Sequence, residues 1–217
     1  RFRRDQTRRN KVRHRKMHTV ATVLRSGGHY GADYVERIKA DLEKHSPGVR
    51  LVCLSDCAVP CKRIPLRHDW PGWWSKIELF RPSVFRGHVL YLDLDTVIVG
   101  DIAPLFRDQF TALPDFYRPN EGIGSGVMAW RGGMSHLYAE FSKAPERWMA
   151  RCTTRQCWGD QGFIQTHVEA DRFGVEAQSA KIQGDRRKAR VICFHGQPRP
   201  RDVGWDYRKV AARRMHA

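Results

Sequence analysis

The stretch His88-Val89-Leu90-Tyr91-Leu92-Asp93-Leu94-Asp95-Thr96-Val97-Ile98-Val99 constrains the fold more than any other part of this chain. It is an apolar run that stops at two carboxylates spaced i, i+2. A short, continuously apolar run such as 89–92 suits a strand buried on both faces of a sheet. Side chains alternate along extended chain, so Asp93 and Asp95 are expected to point the same way. Two unpaired carboxylates at the end of a buried strand repel each other and lose hydration. A divalent cation removes that objection, and Mg²⁺ and Mn²⁺ prefer carboxylate oxygens. In open α/β sheets the ligand crevice lies beyond the carboxyl ends of the strands, so a metal-bridged phosphate ligand is expected there. Asp-x-Asp is a short motif, and the plain alternative is a solvated acidic turn.

The other segments extend the pattern. Residues 19–24 read as a first buried strand, and Arg25-Ser26-Gly27-Gly28 reads as a turn where glycine lets backbone approach a ligand. Residues 32–45 are amphipathic, with Val35, Ile38 and Leu42 on one face and Glu36, Lys39 and Glu43 on the other. Ser46-Pro47-Gly48 stops that helix. Residues 49–54 read as a second strand, giving strand, helix, parallel strand. A short helix is expected over 73–80, with Trp73, Ile77 and Phe80 as its apolar stripe and Lys76 off it. A connecting turn is expected over 102–106, a strand over 126–130, and helical spacing over 135–149 broken at Pro145. A further helix over 160–170 and a late strand over 191–194 running into His195-Gly196 complete the α/β reading. The strand ends deliver Ser26-Gly27, Asp56, Asp93 and Asp95, Ser125-Gly126 and His195-Gly196, the pattern of a ligand crevice along one sheet edge.

At 217 residues the chain suits one domain with an appendage. The formal net charge is +16. Half of it sits in the first 18 residues, where nine arginines and lysines face Asp5 alone. Residues 1–17 are therefore read as a basic, flexible arm for a polyanion, nucleic acid or an anionic membrane surface, and 18–217 as a single domain. No apolar stretch approaches the ~20 residues of a membrane-spanning helix. Arg1-Phe2-Arg3-Arg4 is not followed by an apolar region, so no secretory signal is read and a cytoplasmic setting is expected, at most peripheral to a membrane. The six cysteines (Cys53, Cys57, Cys61, Cys152, Cys157, Cys193) miss the common zinc and iron–sulfur spacings and are read as mostly reduced thiols.

Tyr91-Leu92-Asp93-Leu94-Asp95-Thr96 resembles the Asp-x-Asp signature of GT-A nucleotide-sugar glycosyltransferases, in particular the retaining glycogenin-like and bacterial lipopolysaccharide galactosyltransferase-like enzymes. Further segments resemble that family in the right order. They are Val23-Leu24-Arg25-Ser26-Gly27-Gly28, the lysine in Trp74-Ser75-Lys76-Ile77, Gly124-Ser125-Gly126-Val127-Met128, Gly159-Asp160-Gln161-Gly162, and Phe194-His195-Gly196-Gln197-Pro198-Arg199-Pro200. The resemblance implies a mixed, mainly parallel Rossmann-like sheet flanked by helices. It implies Asp93 and Asp95 as ligands of Mn²⁺ or Mg²⁺ on the diphosphate of a nucleotide sugar such as a UDP-sugar, with His195 as third ligand. Lys76 and Arg199 would contact phosphate or sugar, and Gly196 would allow close approach. Leu24, Ser26 and Asp56 would line the nucleoside, and Gly27, Ser125 and Gly126 would also bind the donor. Asp160 and Gln161 would sit beside the transferred sugar, Gln161 at its β-face. Three positions depart from the pattern: Arg199-Pro200 replaces Lys-Pro, Ser125 replaces Asn, and Cys193 stands where some relatives carry the metal histidine.

The implied activity is hexosyl transfer to a hydroxyl acceptor. The basic arm tilts the acceptor towards DNA with hydroxymethylated bases, although such a base would have to be flipped out. A lipopolysaccharide, glycolipid or saccharide at an anionic membrane is the alternative. Two other functions compete: a nucleic-acid-binding protein on a degenerate scaffold, and a nucleotide-sugar hydrolase or nucleotidyltransferase.

Overall fold

The computed structural model describes residues 18–212 apart from 116 and 119; the proposed basic arm lies outside the described residues. Among the described residues, ten strands and four α-helices follow in chain order. They are β1 (His18–Leu24), α1 (Ala32–His45), β2 (Arg50–Ser55), β3 (Lys62–Pro65), β4 (His88–Leu92), β5 (Thr96–Ile98), β6 (Thr111–Pro114), β7 (Ile123–Arg131), α2 (Ser135–Lys143), α3 (Pro145–Arg151), α4 (Gly159–Gln165), β8 (Asp171–Arg172), β9 (Ala177–Ser179) and β10 (Val191–Cys193). A 3₁₀ helix spans Gly72–Phe80.

Seven strands form one sheet in the order β3-β2-β1-β4-β7-β6-β8, and β5-β10-β9 form a second. β1 pairs in parallel with both β2 and β4, so their carboxyl ends share an edge. β7 runs antiparallel to β4, with Leu92 opposite Val127. Ser125-Gly126 therefore reaches that edge from the amino end of its strand, not from a carboxyl end.

The apolar run behaves as its composition demands. Leu90 and Leu92 pack with Val35, Ile38 and Leu42 of α1 on one face. Val89 and Tyr91 pack with Trp74, Ile77, Phe141 and Phe163 on the other. Both faces of β4 are thus core. Of the helix spacings, α1 matches the expected bounds, and Pro145 separates α2 from α3.

Three expectations change. The 73–80 helix is 3₁₀, with three residues per turn, so Trp74, Ile77 and Phe80 share its buried face. Trp73, expected in the stripe, is 49% exposed and eclipses Lys76 instead. The helix expected over 160–170 ends at Gln165. Thr166 Oγ1 donates to the carbonyl of Phe163 at 2.8 Å, and the His167 ring nitrogen lies 2.8 Å from the same oxygen, closing the last turn. The chain then extends to place β8 against β6. Finally, β4 stops at Leu92, so Asp93 and Asp95 are not on a strand.

Candidate active site

Asp93 and Asp95 sit in the turn between β4 and β5. The Thr96 amide donates to the Asp93 carbonyl at 3.0 Å, and the Asp93 amide donates to the Gly126 carbonyl at 2.8 Å. That turn, not extended-chain alternation, brings both carboxylates to one cleft of about 650 Å³. Tyr91 Oη donates to Asp93 Oδ1 at 2.5 Å. Tyr30 Oη and the Gly196 amide donate to Asp95 Oδ2 at 3.0 and 3.3 Å. Burial, and next the charge of Asp93, raise the Asp95 carboxyl to about 6. A Cβ on Gly126 would lie 3.3 Å from Asp93 Oδ2, so a larger residue there would crowd the carboxylate.

Lys76, on the 3₁₀ helix, closes the cleft floor. It is 6% exposed. Its Nζ lies 3.3 Å from Asp93 Oδ1 and 3.0 Å from Asp160 Oδ2, and it donates to Ser125 Oγ at 2.9 Å. Burial alone would lower its pKa, but Asp160 and Asp93 outweigh that and raise it. Asp160, itself 4% exposed, opens α4. Burial raises its carboxyl, and Lys76 opposes the rise.

The second sheet delivers the other wall. β10 pairs antiparallel with β5, Cys193 opposite Thr96. The Phe194 amide donates to the Asp95 carbonyl at 3.1 Å. Beyond it the chain turns through left-handed conformations at His195 (φ 56°) and Gly196 (φ 78°), which places both at the cleft. Burial lowers His195 to about 4, so its imidazole is neutral at physiological pH. Cys193 is buried at 1% exposure and does not line the cleft; its Sγ accepts from Thr96 Oγ1 at 3.7 Å. Of the two candidates for third ligand, His195 is the one at the cleft. Among the described residues, no group of three or more His, Cys, Asp or Glu side chains is already gathered as a metal-binding set. Asp93 is turned instead to Lys76 and Tyr91.

A tight hairpin precedes α4, with Thr153 bridged to Trp158. It holds Trp158 at the cleft rim beside Trp73. Cys152 and Cys157 face each other inside it, Sγ to Sγ 2.9 Å, both as free thiols. Burial, then Cys157, raise the Cys152 thiol to about 12, so attack by its thiolate is slow at neutral pH. The sulfurs nonetheless need to close by less than ~1 Å to reach bonding distance. In excess oxidised glutathione at mildly alkaline pH, the protein is expected to lose two of its six titratable thiols. Two reduced glutathiones would be released, and one peptide would carry Cys152 joined to Cys157. Glutathione adducts without that crosslink would contradict the expectation.

The backbone of this site recurs in solved structures. The galactosyltransferase LgtC, in complex with donor and acceptor sugar analogs, matches with a TM-score of 0.62 at 14% identity, over 88% of this chain and 93% of that chain. The chain has the GT-A fold. An LgtC variant with an active-site glutamine changed to glutamate matches with a TM-score of 0.60 at 12% identity, over 84% and 89%. The glycosyltransferase GlyE of Streptococcus pneumoniae TIGR4 matches with a TM-score of 0.60 at 13% identity, over 89% of this chain and 61% of that one. No protein-family model and no curated protein matches the sequence.

On this GT-A frame most of the residues singled out from sequence converge. Lys76, Asp93, Asp95, Ser125, Gly126, Asp160, Gln161, His195 and Gly196 all line the cleft. Leu24, Ser26, Gly27, Asp56 and Arg199 do not. Leu24 is in the core, while its neighbour Val23 reaches the cleft. Ser26 is bound to Asp56 through both its amide and its hydroxyl, each at 2.8 Å. The Arg199 guanidinium lies 5.8 Å from the centre of the Tyr30 ring. The sequence reading missed Tyr30, Trp73 and Trp158. The only available signal was the pair of tryptophans three residues before Lys76 and two before Asp160.

Proposed function

We propose that this chain is a glycosyltransferase that moves a hexose from a nucleoside-diphosphate sugar, such as a UDP-sugar, to a hydroxyl of a saccharide or glycolipid. The observation that carries the reading is the convergence, on a GT-A frame, of Asp93, Asp95 and His195 in one cleft with the buried Lys76–Asp160 pair. The donor set suits a hard divalent cation: two carboxylates and a neutral imidazole, with Asp95 raised by burial and by its neighbour's charge. Asp93, Asp95 and His195 would hold Mn²⁺ or Mg²⁺, which when bound neutralises charge on the departing diphosphate. Tyr30 and the Gly196 amide orient Asp95. Lys76 and Tyr91 orient Asp93. Gln161 is the one glutamine among the described residues that line the cleft. A structural neighbour carries an active-site glutamine-to-glutamate mutation, which supports Gln161 beside the transferred sugar; retention of configuration is part of the proposal.

One consideration favours a saccharide over DNA: a structural neighbour's complex contains sugar analogs as donor and acceptor. No helix among the described residues is long and apolar enough to cross a membrane. The deciding assay measures nucleoside diphosphate release from a donor panel with Mn²⁺. It is run with soluble saccharides, with glycolipid in anionic vesicles, and with hydroxymethylated DNA. Release stimulated by saccharide or glycolipid is expected. Stimulation by the modified DNA alone would move the acceptor to nucleic acid. No release from any donor would put a binding protein first.

A further inference from the structure

We propose that Trp73 and Trp158 form the acceptor platform, and that they select a neutral pyranoside presenting an apolar face. This rests on the glycosyltransferase reading and specifies its acceptor. The two indoles stand on the two elements that build the ionic floor. Trp73 shares the 3₁₀ face of Lys76, and Trp158 ends the hairpin that leads into Asp160. They are 49% and 52% exposed, whereas Trp70, Trp74 and Trp130 are buried at 7% or less. Half-exposing two indoles side by side forgoes part of the burial that stabilises a large apolar side chain in a core. The local backbone is built to keep them together. Gly159 adopts φ 56°, and a Cβ there would come within 2.8 Å of the Trp73 indole nitrogen. The ring centres are 6.3 Å apart with planes tilted by 41°. That is too close to sandwich a ring, since each stacked face needs about 3.5–4 Å. The pair is therefore an angled shelf that one sugar face rests on.

The surroundings choose the ligand class. Beside the shelf the cleft offers Gln161, a neutral amide suited to hydroxyls. The one lysine of the floor is already held by Asp93 and Asp160. Arg25, at the far side, is held by Asp69 at 2.9 Å and by the His68 carbonyl at 3.0 Å. Both cations are thus already committed within the protein, and neither is turned to an acceptor phosphate. A pyranoside brings C–H groups for the indoles and hydroxyls for the amide, and no charge.

The test has two arms, using Trp73→Ala, Trp158→Ala, the double variant, and Trp→Phe at each position. In the first arm, methyl β-D-galactopyranoside and methyl α-D-glucopyranoside are titrated while tryptophan emission is followed. A saturable change with either sugar, lost in the double alanine variant and retained with Phe, is expected. In the second, acceptor and donor KM are compared for transfer to the same sugars. Acceptor KM is expected to rise tenfold or more in each alanine variant, with donor KM moving less than threefold and Phe restoring most of the effect. Equal rises in both constants, or an unchanged acceptor KM, would overturn the platform. Because the emission arm needs no turnover, a sugar-induced change without any transfer would keep the platform and fail the enzyme reading instead. Transfer with no tryptophan dependence would do the reverse.

Discussion

Asp95→Ala is expected to lower nucleoside diphosphate release by at least about 100-fold, with the fold intact. Deleting a group that holds the charge-neutralising ion removes stabilisation of the departing diphosphate, an effect worth several kcal/mol in such sites. Asp95 is the better target than Asp93, because Asp93 also balances Lys76 and its loss would disturb the floor. Among the described residues Asp95 makes no ion pair, and its hydrogen bonds come from the Tyr30 hydroxyl and the Gly196 amide. Removing it also removes the raised carboxyl that burial and Asp93 disfavour. The variant is therefore expected to melt at or slightly above the wild-type temperature. A second readout separates the metal role from a structural one. Mn²⁺ should raise the wild-type melting temperature by mass action, and the shift should vanish in Asp95→Ala. Wild-type release rates, or an unchanged Mn²⁺ shift, would exclude Asp95 as a ligand.

The sequence was readable wherever one physical signal dominated. The apolar run of β4 needed no partner information, since continuous burial is legible as composition, and α1 carried a clean helical period. The carboxylate pair was found, but for an incomplete reason. Alternation would have aligned Asp93 with Asp95, whereas a hydrogen-bonded turn does so. The tryptophans were hidden because an exposed indole and a core indole look alike in a pattern. Only the 3₁₀ period, which pairs Trp73 with Lys76 and Trp74 with Ile77, separates them. Short strands such as β5 and β8 draw their stability from neighbours distant in sequence, and so leave little local trace. The orientation of β7 was equally invisible: Ser125-Gly126 reaches the right edge from the unexpected end of its strand.

Lys76→Met carries the second large expectation, and it tests the floor itself. The substitution keeps the length of the side chain and removes its charge. Asp160, buried at 4% exposure, would then lose its 3.0 Å partner, and Ser125 would lose its donor. Breaking a buried pair from one side typically costs about 3–5 kcal/mol. For a domain of this size each kcal/mol is roughly 2–4 °C of melting temperature, so a fall on the order of 10 °C is expected. Lys76→Arg should not rescue it, because a planar fork cannot meet Asp160, Asp93 and Ser125 from the position of one ammonium. Lys76→Met combined with Asp160→Leu should recover most of the stability, since both charges leave together. It should recover none of the transfer, because Asp93 would still lack the ammonium that orients it and the cleft would lose the carboxylate proposed to stand beside the transferred sugar. A single variant that melts with the wild type, or a double variant that is no more stable than the single, would show that the ion pair does not organise the cleft.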